Sequence, residues 1–185
     1  MVAQNAFGQS PNAPSSSVPV KSADPAPPSR ATASVYVRLG DRAFADGKYA
    51  ESVEAYTKAL ELYNLNEYAY YNRGLAYRKL KDYKNAIADF SRTLQLNPEN
   101  TFAYLYRGMT LQVNGQTDLA IADYTALIKI DESQPLAYLR RAEAYVSLKQ
   151  NDKAREDFTQ ATSLYKRQGN PGQAERVQSQ LRAIK

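Results

Sequence analysis

Three arginines and three aspartates recur at matching intervals in this chain, and their types and spacing invite a chemical reading. Arg73, Arg107 and Arg141 are 34 residues apart each time, and so are Asp89, Asp123 and Asp157. A guanidinium can hold a carboxylate through two parallel hydrogen bonds. The two sets therefore read either as ion pairs that fix helix register or as anchors for a ligand. Catalysis would need other groups. The 185 residues include no histidine and no cysteine. The commonest acid–base and metal-ligating side chain is thus missing, and disulfides and thiolate metal sites are excluded. Carboxylates, Lys, Tyr and Ser remain, but pairs such as Glu51 with Glu54 or Asp131 with Glu132 read as solvated faces and helix-end charges. There is no Gly-rich phosphate loop and no metal-ligand spacing. The expectation is a chain that is not an enzyme, with no metal site and no cofactor.

The formal net charge of +5 is concentrated at the C-terminus. Lys166, Arg167, Arg176, Arg182 and Lys185 stand there against Glu175 alone, while the middle of the chain is near neutral. A nucleic-acid binder is expected to carry its basic stripe across the folded body, so a solvated basic cap is the preferred reading and a nucleic-acid partner is not expected. The same cluster, or the N-terminal tail, could place the protein peripherally at an anionic membrane surface. No apolar run approaches the roughly 20 residues that span a bilayer.

Residues 1–32 are dominated by Pro, Ser and Ala. Such a segment buries too little apolar surface to offset the entropy of ordering it, so it reads as a disordered tail or linker. Val2-Ala3-Gln4-Asn5-Ala6 resembles the start of a mature exported protein with Met1 added. On that reading the tail tethers or spaces the domain from a membrane in a periplasmic or lumenal compartment. The other reading is a plain disordered N-terminus on a cytoplasmic protein, and both stay open.

The elements that position the arginines come from an internal repeat. Gly40, Gly74, Gly108 and Ala142 follow one another at 34-residue steps. Four residues before each stands a tyrosine (Tyr36, Tyr70, Tyr104, Tyr138), and twelve after each a small residue (Ser52, Ala86, Ala120, Ala154). Four further on comes a ring (Tyr56, Phe90, Tyr124, Phe158). Small residues on two facing helices let their backbones approach, and the rings fill the space beside them. Apolar positions recur at three- and four-residue steps, the helical period. Polar breaks such as Asp46-Gly47-Lys48 and Asn114-Gly115 split each unit into two helices. Asn97-Pro98 ends the second unit, and Pro135 opens the fourth, where its missing N–H costs little.

This pattern resembles the tetratricopeptide-repeat (TPR) family over residues 33–166. The resemblance implies an all-α fold, a right-handed superhelix (α-solenoid) of antiparallel helix pairs, A and B. The units are expected at 33–66, 67–100, 101–134 and 135–166, with a basic capping helix in 167–185, since a terminal repeat must cover its last apolar face. The chain is also loosely similar to short bacterial TPR proteins, photosynthetic ones included. Where the family usually has leucine before the glycine, this chain has Leu39 in the first unit and arginine in the other three. Ala55 likewise stands in the first unit where the others have aspartate. Because the two types appear and vanish together, each arginine on helix A is expected to pair with the aspartate on helix B of its own unit. Pairing to the next unit would leave Arg73 and Asp157 alone.

The family's geometry implies a concave face built mainly from the A helices. Its groove positions give Tyr68, Tyr71, Asn72, Leu75 and Arg78 in the second unit, and Phe102, Leu105, Tyr106, Met109 and Gln112 in the third. The fourth gives Leu136, Leu139, Arg140, Glu143 and Val146. The candidate peptide-binding set is Tyr68, Tyr71, Asn72, Leu75, Arg78, Phe102, Leu105, Tyr106, Met109, Leu139 and Arg140. An aromatic and aliphatic centre with a few polar groups has the make-up of an interface hot spot. The positions with which chaperone-binding members of the family clamp a C-terminal carboxylate hold Val37, Asp41, Asn72, Phe102 and Tyr106 here. Only the asparagine survives, so an apolar segment or amphipathic helix of a partner protein is the expected ligand. The expected role is a scaffold or adaptor in the assembly of a larger complex. A structural homo-oligomer, such as a homodimer through groove or cap, is the alternative.

Overall fold

A computed structural model describes residues 30–184. Those residues form nine helices: α1 (Arg30–Ala45), α2 (Tyr49–Leu62), α3 (Glu67–Lys79), α4 (Tyr83–Leu96), α5 (Thr101–Val113), α6 (Thr117–Ile130), α7 (Pro135–Ser147), α8 (Asn151–Arg167) and α9 (Pro171–Ala183). The segment expected as a tail over 1–32 lies outside the described residues except for its end, where Arg30 begins α1.

Each helix packs on its neighbours in sequence, most extensively within the pairs α1–α2, α3–α4, α5–α6 and α7–α8. Across the pairs, α1 also touches α3, α3 touches α5 and α5 touches α7. The odd helices are therefore the layer of smaller radius, and they line the inner face of an all-α solenoid. Helix starts are set by side chains that accept the first free N–H groups. Asn66, Asp82, Asn100 and Asn170 do this for α3, α4, α5 and α9. The turn inside each pair needs one residue in the left-handed region. Gly47 and Gly115 supply it without strain, whereas Lys81 (φ 62°) and Lys149 (φ 59°) occupy the same place in the second and fourth pairs.

Inside each pair the glycine faces the ring. A Cβ at Gly108 would lie 2.6 Å from Tyr124 Cε1, and one at Gly40 2.7 Å from Tyr56 Cε1. The rings of Tyr56, Phe90, Tyr124 and Phe158 are fully buried as a result. In the fourth pair Ala142 takes the glycine's place and packs in one cluster with Phe158, Ala154 and Val177 of α9. Val177, with Leu181 and Ile184, thus covers the apolar side of α8.

The arginine–aspartate pairs form within each unit. Arg107 Nε and Nη2 donate to the two carboxylate oxygens of Asp123 at 2.8 and 2.6 Å, and Arg73–Asp89 and Arg141–Asp157 repeat the fork. Each arginine has a third contact that the sequence did not announce. Its Nη1 donates, at 3.0 Å, to a hydroxyl on the second helix of the preceding unit: Thr57 for Arg73, Ser91 for Arg107, Thr125 for Arg141. Thr57 and Ser91 in turn donate to the carbonyls of Val53 and Ile87. Each guanidinium also lies over the tyrosine three residues earlier, Tyr70, Tyr104 or Tyr138. The arginine is thus a clasp between consecutive units. In the first unit Leu39 and Ala55 stand at the corresponding positions, and the clasp is not made there. Burial raises the carboxyls of Asp89 and Asp123, against the pull of their guanidiniums.

Candidate functional site: the inner face of the solenoid

The inner face carries the sequence-derived set on α3, α5 and α7, and its members fall into three groups. Tyr68 and Phe102 are the outermost, 54 % and 64 % exposed. Tyr68 is steadied by its hydroxyl, which donates to Asp41 Oδ1 of α1 at 3.0 Å. The same oxygen accepts from Tyr56 at 2.6 Å. Asn72 is turned back on its own helix, its amide donating to the Tyr68 carbonyl at 2.9 Å. Phe102 lines a shallow recess with Leu105, Leu127 and Leu136.

Tyr71, Leu105, Tyr106, Met109 and Leu139 form the second group and belong partly to the interior. Tyr71 packs against buried Phe90 (centroids 5.9 Å apart) and meets Tyr106 edge-on at 6.0 Å. Tyr106 stacks on Phe90 at 6.3 Å, so the three rings form a triangle of mutual contacts. Burial pushes the Tyr71 hydroxyl well above its ordinary range. Leu105 and Met109 rest on the cluster around Tyr124, and Leu139 on that around Phe158. Leu75 is half-buried on the same helix as Tyr71.

The third group is polar. Arg78, Met109, Gln112, Val113, Arg140 and Glu143 surround an open recess of ≈ 260 Å³ shared by α3, α5 and α7. Arg140 Nη1 donates to Glu143 Oε2 at 2.9 Å, Gln112 Oε1 accepts from the Tyr124 hydroxyl at 3.2 Å, and the Arg78 guanidinium lies 5.7 Å from the Tyr106 ring centroid. The candidate set contains Arg78, Met109 and Arg140 from this recess. Val113 was missed, because its apolar side chain at the end of α5 reads in sequence as a helix terminus. Among the described residues no group of three or more Asp or Glu could hold a metal ion, and no helix is long and apolar enough to cross a membrane.

Comparison with known proteins fits this architecture. Tetratricopeptide-repeat family matches cover residues 40–81, 67–100 and 136–168, together more than half of the chain. The chain is similar to a crystal structure of MamA, at 25% identity and a TM-score of 0.73 over 74% of this chain and 80% of that one. It is also similar to the first TPR domain of Spaghetti (RPAP3) bound to an HSP90 peptide, at 26% identity and a TM-score of 0.63 over 66% and 98%. A MamA from Desulfovibrio magneticus RS-1, 20% identical, shares the fold with a TM-score of 0.67 over 82% and 94%. A search of curated protein sequences finds no match. Helix pairing, the Gly–ring contacts and these matches agree: the chain belongs to the tetratricopeptide-repeat family, whose members are generally non-catalytic scaffolds for protein–protein interaction.

Proposed function

We propose that the inner face of α3, α5 and α7 receives an apolar or amphipathic segment of a partner protein, and that the chain works as a non-catalytic adaptor in assembling a larger complex. The observation that carries this reading is the exposure of Phe102 and Tyr68 beside a half-buried aromatic row. Contiguous exposed apolar surface of this kind marks partner sites, and large rings supply contact area at low entropic cost. A similar TPR domain is bound to a peptide in its own structure, so the scaffold suits the task. The ligand differs, because Val37, Phe102 and Tyr106 stand where chaperone-binding members of the family place polar clamp residues.

The test is a pull-down from an extract of the native organism, comparing the native chain with Phe102→Ser and with the outer-face variant Leu119→Ser. Leu119 is 55 % exposed on α6, so both changes spare the core. A partner kept by Leu119→Ser and lost by Phe102→Ser supports the groove. A partner kept by Phe102→Ser and lost by Leu119→Ser moves the site to the outer face.

A further inference from the structure

We infer that the segment received by the inner face carries an acidic side chain flanked by apolar residues, and that this acid docks between Arg78 and Arg140. The inference rests on the groove being the partner site. Its evidence is the charge arrangement in the recess shared by α3, α5 and α7. Three arginines of the chain, Arg73, Arg107 and Arg141, each hold an aspartate through two hydrogen bonds. Arg78 has no carboxylate within ion-pairing distance among the described residues, only the face of Tyr106. Arg140 has one carboxylate oxygen, from Glu143, and its Nε is buried without an acceptor. The recess thus holds two guanidiniums and a single carboxylate. Gln112 has its carbonyl end occupied by the Tyr124 hydroxyl, so its amide N–H groups are what it has left to offer. Apart from the second carboxylate oxygen of Glu143, the unspent polar groups around the recess are donors, and the net charge there is positive. A carboxylate satisfies such donors; an ammonium would be repelled.

The walls decide what surrounds the acid. Met109 and Val113 line the recess itself. Exposed apolar groups lie to both sides of it along the helices: Phe102 toward the start of α5 and Val146 near the end of α7. An acid inside an apolar segment matches that order. A chain-terminal carboxylate does not, because apolar contact continues past the recess. Arg78 and Arg140 also stand apart from the family's carboxylate-clamp positions, at Val37, Asp41, Asn72, Phe102 and Tyr106 in this chain.

The test selects binders from a displayed library of random short peptides, using the full chain as bait. Phe102→Ser sorts groove binders from the rest. The expected groove binders are apolar with an Asp or Glu at one fixed position. Exchanging that acid for its amide weakens binding to the native chain about tenfold, as losing a charge-assisted hydrogen bond does. The same exchange leaves binding to an Arg78→Gln, Arg140→Gln chain unchanged, because the two changes remove one interaction. The peptide-side change cannot disturb the protein's fold. Groove binders with no acidic position, or with an acid whose amide binds as well, overturn this inference and leave the groove reading standing. A selection in which no binder is weakened by Phe102→Ser overturns the groove reading and this inference with it.

Discussion

Arg107 Nη1 donates to Ser91 Oγ at 3.0 Å across the boundary between the second and third units. The same guanidinium grips Asp123 inside its own unit, so one side chain joins two helix pairs. In a solenoid, stability is a sum of unit and neighbour terms, and this contact belongs to both. Arg107→Ala leaves the Asp123 carboxylate buried and unpaired, and is expected to cost about 3–5 kcal/mol. Ser91→Ala removes only the bridge and is expected to cost about 1 kcal/mol. Urea denaturation of both variants checks the ranking; equal losses would show that the bridge and the fork are not separate.

The pairing within units was legible because arginine and aspartate appear together in three units and vanish together in the first. The hydroxyl bridge was not. Thr57, Ser91 and Thr125 have the types of ordinary helix surface residues, and Thr159 repeats them in the fourth unit with no arginine 16 residues later, where Glu175 stands. The repeat offset was the available signal, since all four hydroxyls fall 34 residues apart. The groove was legible as a family position and less so as a surface. Tyr71 and Tyr106 are as much interior as site because both pack on buried Phe90. The polar recess needed three helices in place before Arg78 and Arg140 could line one space.

Gly108→Ala is expected to destabilise the third unit. Alanine gains roughly 1 kcal/mol of helix propensity over glycine. Against that, its Cβ would stand 2.6 Å from a ring atom of Tyr124, and Tyr124 is wholly enclosed. Overpacking of this kind costs about 1–3 kcal/mol, so a net loss is expected in thermal unfolding. The fourth unit already accommodates Ala142 against Phe158, and Ala142→Gly is expected to lose stability through both helix propensity and the packing of its buried methyl.

Lys149→Gly is expected to stabilise the protein. Lys149 holds φ at 59°, a conformation that costs an L-residue about 1–2 kcal/mol. Glycine removes that cost and adds roughly 0.5–1 kcal/mol of backbone entropy loss. A gain between about 0 and 1.5 kcal/mol follows from the difference, and chemical denaturation reads it. Lys81→Gly is expected to act alike, whereas Gly115→Lys is expected to do the reverse.

Alkaline pH is expected to unfold the chain through its buried tyrosines. Burial, chiefly, raises the hydroxyls of Tyr56, Tyr71 and Tyr124 far above the ordinary 10.0. A group raised in the folded state keeps its proton there after the unfolded chain has lost it. Its contribution is therefore complete below pH 10.0 and falls as pH climbs above that value. Tyr71→Phe removes one such group, so its alkaline unfolding midpoint should move upward while stability at neutral pH changes little. Circular dichroism along a pH titration, read beside tyrosinate absorbance, checks both.

The partner groove is tested most directly by photo-crosslinking. A benzoylphenylalanine placed at position 102 in one chain and at position 119 in another is irradiated in an extract of the native organism, and the crosslinked peptides are sequenced. Crosslinks from 102 to one apolar or amphipathic segment of a single protein, with none from 119, are the predicted result. Crosslinks from 119 with none from 102 would contradict the groove as the site of partner binding.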